Sequence, residues 1–321
     1  MDDLTLEKLY GNIKKTSYNV KLLNKEAGWD ASRLVLSAEE IYYSQIDTVC
    51  KSIFIKQPKI VFVSGPSASG KTTTAQILQQ KLSAEYNVSS ILVSLDDFFL
   101  NAEDSPVLAD GSPDLENFTK LDVAYFNKFF NDIVNCGWAM MPSFDFVLGA
   151  RKNEETKVEL TAGQIVIIEG THALNPALVH NKEFLDRVFK VYVCTNSEFV
   201  DENNIVISNT SLRKMRRLLR DMLKRGETIE GFLKKWPRVL DGEQEFILPY
   251  KTEADFVVDT VHLYEPFLYA RYLKPIIEEY IARHNTKEFD AILKGLTNLT
   301  SLSKKVIPNN SMLWEVFVKD V

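Results

Sequence analysis

The stretch that most constrains this chain is residues 60–74, which read IVFVSGPSASGKTTT. Its first four residues are apolar and mostly β-branched, as in a buried strand, and residues 65–72 match the pattern G-x-x-x-x-G-K-[ST]. Residues 73–82 then carry apolar side chains at helical spacing. A strand, a glycine-rich turn and a helix in this order predict a loop that binds phosphate through backbone N–H groups and the positive end of the helix dipole.

The side chains of this loop also have expected tasks. Gly65 and Gly70 allow the backbone to curl around one anion. Lys71 is expected to reach the β- and γ-phosphates, and Thr72 to offer its hydroxyl to Mg²⁺. We therefore predict that the chain binds ATP with Mg²⁺. The predicted ATP-binding residues are Gly65, Ser67, Ala68, Ser69, Gly70, Lys71, Thr72 and Thr73.

Composition and charge exclude several other classes of protein. The 321 residues are 45% hydrophobic and 26% charged, with a formal net charge of -6 and three cysteines. An acidic balance gives no general attraction to nucleic acid or to anionic membranes, and the sequence has no apolar run of about 18 residues that would span a bilayer. Sparse cysteines and an acidic start without a secretion signal are typical of a cytoplasmic protein with reduced thiols.

Beyond residue 57 the chain alternates predicted strands and helices, which indicates an α/β protein with a parallel sheet of the P-loop NTPase type flanked by helices. Strands are predicted at residues 59–64, 90–94, 165–168, 188–194 and 256–258. Two short strands are predicted at residues 139–142 and 144–146, and residues 156–160 are predicted to be a hairpin partner. We expect this domain to occupy residues 57–285, after an N-terminal helical appendage at residues 1–56 and before a C-terminal helix and tail at residues 286–321.

Two helices have predicted details that the structure can test. Ser37 is predicted to cap a helix that runs through Cys50, because two acidic residues follow in its first turn. Residues 265–284 are predicted to form one long helix, kinked at Pro275. The helical appendage either docks on the core or forms a contact in a homo-oligomer.

Three carboxylates follow predicted strands: Asp96, Asp97 and Glu169. Ligands of an open parallel sheet lie at the carboxyl ends of its strands, so we expect all three near the phosphate loop. Phosphoryl transfer uses one carboxylate to hold Mg²⁺ and another to accept the proton of the attacking hydroxyl. Glu169 is the predicted metal residue, together with Thr72, and Asp96 is the predicted base, with Asp97 as its rival.

A strongly basic helix is predicted at residues 211–225, followed by a second helix at residues 228–236. Arg213, Arg217 and Arg220 share one face, and such a face can neutralise a transferring phosphoryl group. We expect residues 211–236 to form an Arg-rich helical lid over ATP, with Lys71, Arg220 and Arg225 stabilising the charge. Its basic residues are Arg213, Lys214, Arg216, Arg217, Arg220, Lys224 and Arg225, of which Lys214 and Arg216 could each simply face solvent.

Taken together, the motifs resemble the phosphoribulokinase/uridine kinase family of P-loop kinases. The matching stretches are GPSASGKTTT (65–74), SLDDFF (94–99), PSFDFVLGARK (142–152), IVIIEGTHAL (165–174), RRLLRDMLKRG (216–226) and ILPYKTEADFVVD (247–259). The resemblance implies phosphorylation of a hydroxyl on a small molecule by ATP. By position it gives Asp96 the catalytic role and Glu169 the metal-binding role, and it makes Arg217, Arg220 and Arg225 the lid arginines.

Within this family the chain is most similar to a longer group of uridine-kinase-like nucleoside kinases. In that group the kinase core follows domains like those of threonyl-tRNA synthetase. The similar stretches include KKWPRVLDGEQEFILPY and the tail VIPNNSMLWEVF. We expect no such preceding domains here, because residues 1–59 hold only a helical lead-in.

The resemblance makes the 5'-hydroxyl of uridine or cytidine the first expected acceptor. Uridine-cytidine kinases read the pyrimidine with a Tyr and a His, but the matching positions here hold Phe144 and Gly149, and two later positions hold Glu227 and Lys235. A kinase of another small alcohol or sugar, and a nucleotide-binding regulator with little turnover, are the alternatives. The predicted substrate-binding residues are Asp97, Phe99, Glu116, Phe144, Arg151 and Arg217.

Overall fold

A computed structural model describes residues 15–146, 148–181, 184, 187–202 and 204–319. Residues 1–14 of the expected helical appendage lie outside the described residues. The strands are β1 (Ser17–Asn19), β2 (Ile60–Ser64), β3 (Ser90–Ser94), β4 (Trp138–Met141), β5 (Phe144–Asp145), β6 (Ala150–Arg151), β7 (Thr156–Glu159), β8 (Ile165–Glu169), β9 (Val188–Cys194), β10 (Glu198–Asp201), β11 (Asn204–Ile207) and β12 (Phe256–Asp259). The α-helices are α1 (Val20–Trp29), α2 (Ala31–Lys56), α3 (Lys71–Tyr86), α4 (Val123–Cys136), α5 (Asn209–Arg225), α6 (Ile229–Phe246), α7 (Glu265–Tyr272), α8 (Lys274–His284) and α9 (Asp290–Leu296).

A parallel five-stranded sheet in the order β12-β9-β2-β8-β3 forms the centre of the protein, which confirms the predicted fold class. β2, which precedes the glycine-rich loop, lies between β8 and β9. The register pairs Glu169 with Val63 on one side and with Ser94 on the other. The strands β2, β8 and β3 therefore end at the same edge of the sheet. The glycine-rich loop and the predicted carboxylates follow or end these strands, so they lie at this edge.

Helices cover both faces of the sheet. One core contains buried side chains from α2, α3, α5 and α7, such as Tyr42, Leu78, Leu218 and Phe267. The other contains side chains of β2, β8 and α4, such as Phe62, Ile168 and Phe126. Because α5 contributes to the first core, the arginine-rich helix is packed on the body of the protein along its apolar side.

Helix α2 begins earlier than predicted, so the expected Ser37 cap was wrong. The helix starts at Ala31, and the Asp30 carboxylate accepts a hydrogen bond of 3.0 Å from the Arg33 N–H. Leu34 and Val35 are buried against the core, which extends the helix ahead of Ser37.

The predicted single helix over residues 265–284 is two helices, α7 and α8, which meet at Leu273. Pro275 lies in the first turn of α8. Proline has no N–H to donate and is favoured at the start of a helix, so it ends one helix and begins the next where a kink was expected.

The smaller sheets hold one expected and one unexpected feature. β7 is the predicted hairpin partner, and it pairs antiparallel with β4, the first of the two predicted short strands. The antiparallel pair β10 and β11, which is joined by β1 in parallel, was not predicted. In the sequence, the pair β10 and β11 comes after β9 and directly before α5, the arginine-rich helix.

The C-terminal residues fold back onto the body of the protein. After α9 the chain is irregular except for short 3-10 turns, yet Met312, Leu313, Val316 and Phe317 are each at most 2% exposed. Of the helices in the described part of the chain, none is long and apolar enough to cross a membrane.

Candidate active site

The glycine-rich loop has the backbone geometry of an anion-binding nest. Ala68 and Gly70 both have positive φ angles, 59° and 89°, which curl the chain before α3 begins at Lys71. A Cβ at Gly65 would lie 2.0 Å from the carbonyl oxygen of Val193, so only glycine lets the loop approach β9 this closely. The loop and the start of α3 therefore have the backbone geometry expected of the phosphate cradle that the sequence predicts.

A chain of hydrogen bonds joins this loop to the neighbouring strands. The Thr72 hydroxyl donates to Glu169 Oε2 at 3.1 Å, and the Ser94 hydroxyl donates to Glu169 Oε1 at 3.0 Å. A hydroxyl beside a carboxylate at a phosphate loop is the donor set that Mg²⁺ takes in such sites. Thr72 and Glu169 thus fit the metal that the sequence predicted.

Lys71 and Asp96 both influence the pKa of Glu169. Burial raises the pKa of Glu169, the positive charge of Lys71 opposes this rise, and the negative charge of Asp96 adds to it. The loop lysine and the predicted base therefore both lie close enough to Glu169 to influence its carboxylate.

Asp97 has a different environment from Asp96. Its Oδ1 accepts a hydrogen bond of 3.2 Å from the Phe144 N–H, and burial raises its pKa. Asp97 thereby holds the loop around β5 against the end of β3.

Aromatic rings form one wall near these carboxylates. Phe99, Phe144 and Phe146 make edge-to-face contacts with centroid separations of 5.2–6.4 Å. The ammonium of Lys120 lies 3.9 Å from the centroid of the Phe99 ring. This wall combines predicted substrate residues with a buried lysine that sequence reasoning missed.

Three predicted lid arginines converge on one acid of α5. Asp221 lies 3.0 Å from Arg220, 3.5 Å from Arg217 and 3.3 Å from Arg225. Arg217 also donates to Glu116 Oε1 at 3.4 Å, which connects the helix to the loop before α4. Partial burial and repulsion from Arg220 lower the pKa of Arg225, and the carboxylates of Asp221 and Asp96 oppose this effect.

Two other arginines of the helix point into the protein. Arg216 is fully buried and forms a bidentate pair with Glu265, at 2.6 and 2.9 Å. Arg213 is 4% exposed and pairs with Glu243. Arg216 therefore does not face solvent, which was the alternative left open for it, and Arg213 does not share the environment of Arg217 and Arg220.

Arg151 lies at the far end of the aromatic wall. Its Nη2 donates to Asp122 Oδ2 at 3.1 Å and to the Phe99 carbonyl oxygen at 3.4 Å. Its guanidinium also lies 4.6 Å from the centroid of the Tyr125 ring. These contacts tie β6 to the start of α4 and to the backbone of Phe99.

His172 is a second residue of the site that sequence reasoning missed. It is 6% exposed, between the rings of Phe118 and Phe246, and its Nδ1 has no hydrogen-bond partner among the described residues. Burial lowers its pKa to about 4, with help from the charges of Lys71 and Lys120. The available signal was its position three residues after Glu169.

The C-terminal segment also reaches the phosphate loop. Glu315 accepts a hydrogen bond of 2.9 Å from the Thr73 hydroxyl and lies 3.6 Å from Arg220. Lys224 donates to the carbonyl oxygens of Trp314 and Glu315, at 2.7 and 2.8 Å. The carboxylate of Glu315 thus contacts Thr73, a predicted ATP-binding residue, and Arg220, a predicted catalytic residue.

Comparison with known proteins gives a family and several relatives. The family model described as phosphoribulokinase / uridine kinase matches residues 60–264. A uridine kinase from Anoxybacillus flavithermus is 27% identical over 205 residues, which cover 63% of this chain and 86% of that protein. A uridine-cytidine kinase 2-B from Danio rerio is 27% identical over 211 residues, which cover 64% of this chain and 74% of that protein.

A solved structure is also similar at low identity. It is described as a possible uridine kinase from Bacillus stearothermophilus, with 21% identity and a TM-score of 0.45. The match covers 68% of this chain and 98% of that one.

Proposed function

Because this chain belongs to the phosphoribulokinase/uridine kinase family and is thereby a kinase, we propose that it transfers the γ-phosphoryl group of ATP to a hydroxyl of a small molecule, with the 5'-hydroxyl of uridine or cytidine as the first candidate. The observation that carries this proposal is the chain of hydrogen bonds Thr72–Glu169–Ser94. It links the phosphate cradle to the strand end that carries Asp96, so a triphosphate in the cradle and a hydroxyl at Asp96 would be neighbours.

In this proposal Asp96 accepts the proton of the acceptor hydroxyl as its oxygen bonds to the γ-phosphorus. The bond between the γ-phosphorus and the bridging oxygen breaks, and ADP leaves with that electron pair. Thr72 and Glu169 would hold Mg²⁺, which when bound neutralises charge on the β- and γ-phosphates. Lys71, Arg220 and Arg225 supply further positive charge for the transferring group.

The remaining predicted residues have supporting roles in the proposal. The loop residues from Gly65 to Thr73 would bind the phosphates of ATP through their N–H groups. Asp97, Phe99, Glu116, Phe144, Arg151 and Arg217 would shape the acceptor side. The expected division into residues 1–56, 57–285 and 286–321, with a lid at 211–236 that closes over ATP, also remains a proposal.

An Asp96→Asn variant tests the base. We expect kcat to fall by roughly 10²- to 10⁴-fold, the usual contribution of a positioned general base, while the affinity for ATP stays unchanged. Turnover is measured by ADP release, and affinity by calorimetry with a non-hydrolysable ATP analogue. Asp97→Asn is the matched control, and a large loss in that variant with normal turnover in Asp96→Asn would transfer the role to Asp97.

The acceptor is tested with a panel of nucleosides, sugars and other small alcohols, with ADP release as the readout and mass spectrometry of the product. Strong, saturable turnover of uridine or cytidine would establish the first candidate. Phe144 and Gly149 stand where pyrimidine-reading side chains are expected, which favours another small alcohol or sugar as the second candidate. ATP binding without turnover of any acceptor would contradict the proposed transfer.

A further inference from the structure

A small polar cleft lies on the side of the phosphate loop away from Glu169. It is bordered by the loop, the carboxyl end of β9 and the N-terminus of α5, whereas Glu169 is the last residue of β8, on the other side of β2. Its volume is about 70 Å³. The lining residues that matter here are Pro66, Asn196, Asn209, Arg213, Glu243 and Lys251.

Two buried donors of this cleft lack acceptors within the described part of the chain. Arg213 is 4% exposed, and its Nη2 binds Glu243 while its Nη1 has no hydrogen-bond partner. Asn196 is 7% exposed, and its Nδ2 likewise has no partner. An unpaired buried donor costs folding free energy, so two of them at one cleft indicate a ligand that accepts hydrogen bonds.

The electrostatic field of the cleft favours a negative ligand. Asn209 and Thr210 line it as the first residues of the 17-residue helix α5, whose N-terminus carries positive dipole charge. The ammonium of Lys251 lies 3.5 Å from Asn196 Oδ1. Glu243 lines the cleft as well, but its carboxylate pairs with Arg213.

The neighbouring thiol adds no negative charge to this field. Cys194 lines the same cleft, and burial raises its pKa to about 12. Of the charged side chains that line the cleft in the described residues, Arg213 and Lys251 are positive and Glu243 is negative. The carboxylate of Asp259 lies behind the lining, where it accepts hydrogen bonds from the N–H groups of Asn196 and Ser197. The affinity for an anion therefore depends on the two unpaired donors and on the N-terminus of α5.

We propose that this cleft is a binding site for a small oxyanion, such as inorganic phosphate, sulfate or a carboxylate of similar size. The volume of about 70 Å³ exceeds the roughly 10–15 Å³ that one water needs and is well below the roughly 300–1,000 Å³ of a site for a larger ligand. The anion accepts hydrogen bonds from Arg213 Nη1 and Asn196 Nδ2 at the positive end of α5. It joins the start of the arginine-rich helix to the strand end beside the phosphate loop.

The test uses the full chain saturated with Mg²⁺ and a non-hydrolysable ATP analogue, so that the phosphate positions of the loop are filled. Sodium phosphate is then titrated against sodium chloride at equal ionic strength, with the melting temperature and calorimetry as readouts. We expect a saturable rise in melting temperature with phosphate. Sulfate and acetate arms distinguish a tetrahedral oxyanion from a carboxylate.

Two variants remove the donors separately. Arg213→Gln should raise the Kd for phosphate about tenfold, as expected for one lost charge-assisted hydrogen bond. Asn196→Ala should raise it several-fold and should fold normally, because the backbone N–H of Asn196 keeps its bond of 2.9 Å to Asp259. Lys190→Gln is the matched control, since it lies in another basic cleft, at the opposite edge of the sheet, together with Lys56 and Arg187, and it should leave the Kd unchanged.

The inference is overturned if phosphate, sulfate and acetate stabilise the protein no more than chloride does, which would leave water as the occupant. It is also overturned if both donor variants keep the wild-type Kd. The result stays separable from the proposed kinase function: should the ATP analogue not bind, the difference between the wild type and the Arg213→Gln and Asn196→Ala variants in the same titration still reports on the cleft.

Discussion

His172 carries a buried, neutral imidazole at the centre of the candidate site. Burial, together with Lys71 and Lys120, lowers its pKa to about 4, whereas an unfolded histidine titrates near 6.5. Between these two values the unfolded chain binds a proton that the folded protein does not. The folded state therefore loses stability as the pH falls from about 6.5 towards 4.

The size of this effect can be predicted. Between pH 7 and pH 5 the wild-type protein should lose about 2 kcal/mol of unfolding free energy through His172. The decrease in unfolding free energy of a His172→Gln variant over the same pH range should be smaller than that of the wild type by this amount. Urea unfolding at the two pH values measures the difference. His284→Gln, at a partly exposed ring, is the control, and equal pH dependence in all three proteins would contradict the assignment.

Residues whose environment is local in sequence could be predicted, and residues whose environment depends on distant segments could not. The positive φ of Gly70, the start of α3 at Lys71 and the place of Glu169 at a strand end all follow from one continuous stretch each. Lys120 is instead buried with its ammonium over the ring of Phe99, which belongs to another segment of the chain. Nothing in the neighbouring sequence distinguishes it from a surface lysine.

At the scale of elements, Arg216 attaches α5 to the phosphate loop. Its Nη1 donates to Thr260 Oγ1 at 2.9 Å, and that hydroxyl donates to the carbonyl oxygen of Ser69 at 2.7 Å. The carboxylate of Glu265 binds the same guanidinium and also accepts from the Tyr269 hydroxyl at 2.9 Å. A basic pattern in the sequence cannot separate this structural arginine from the solvent-facing ones, because the difference lies in the partners brought by α7.

Removing Arg216 should be costly, because it leaves the buried Glu265 without its partner. We expect Arg216→Met to lower the free energy of unfolding by about 3–5 kcal/mol, measured by urea unfolding. The double variant with Glu265→Met should cost markedly less, since no buried charge then stays unpaired. Lys214→Met, on the same helix with an ion-pair distance of 3.8 Å to Glu288, is the control, and a similar loss there would show that helix packing dominates.

At the scale of the whole molecule, the end of the chain completes the surroundings of the phosphate loop. Met312 packs so closely that a Cβ at Gly70 would lie 2.8 Å from its Cε, and Glu315 binds Thr73 from 242 residues away. The tail was predicted only as a helix and a coil, because its buried residues, such as Phe317 against Tyr269 of α7, do not recur at a helical or strand period.

Glu315 should compete with the phosphates of ATP for Thr73 and Arg220. We expect Glu315→Gln to tighten the binding of an ATP analogue several-fold, because it removes a negative charge from the phosphate site. Calorimetry measures the change. Glu288→Gln is the control, because it removes an exposed carboxylate that pairs with Lys214 of α5, and it should leave the affinity for the ATP analogue unchanged. Weaker binding in Glu315→Gln would mean that the carboxylate of Glu315 instead holds Arg220 in place.

The family match ends at residue 264, yet Glu315, which comes after it, binds Thr73 in the first turn of α3. If Glu315 weakens the binding of ATP as we expect, substitutions of a few terminal residues would change the affinity for nucleotide while the residues of the family motifs stay the same. Two kinases that agree at each motif would then respond to different cellular levels of ATP.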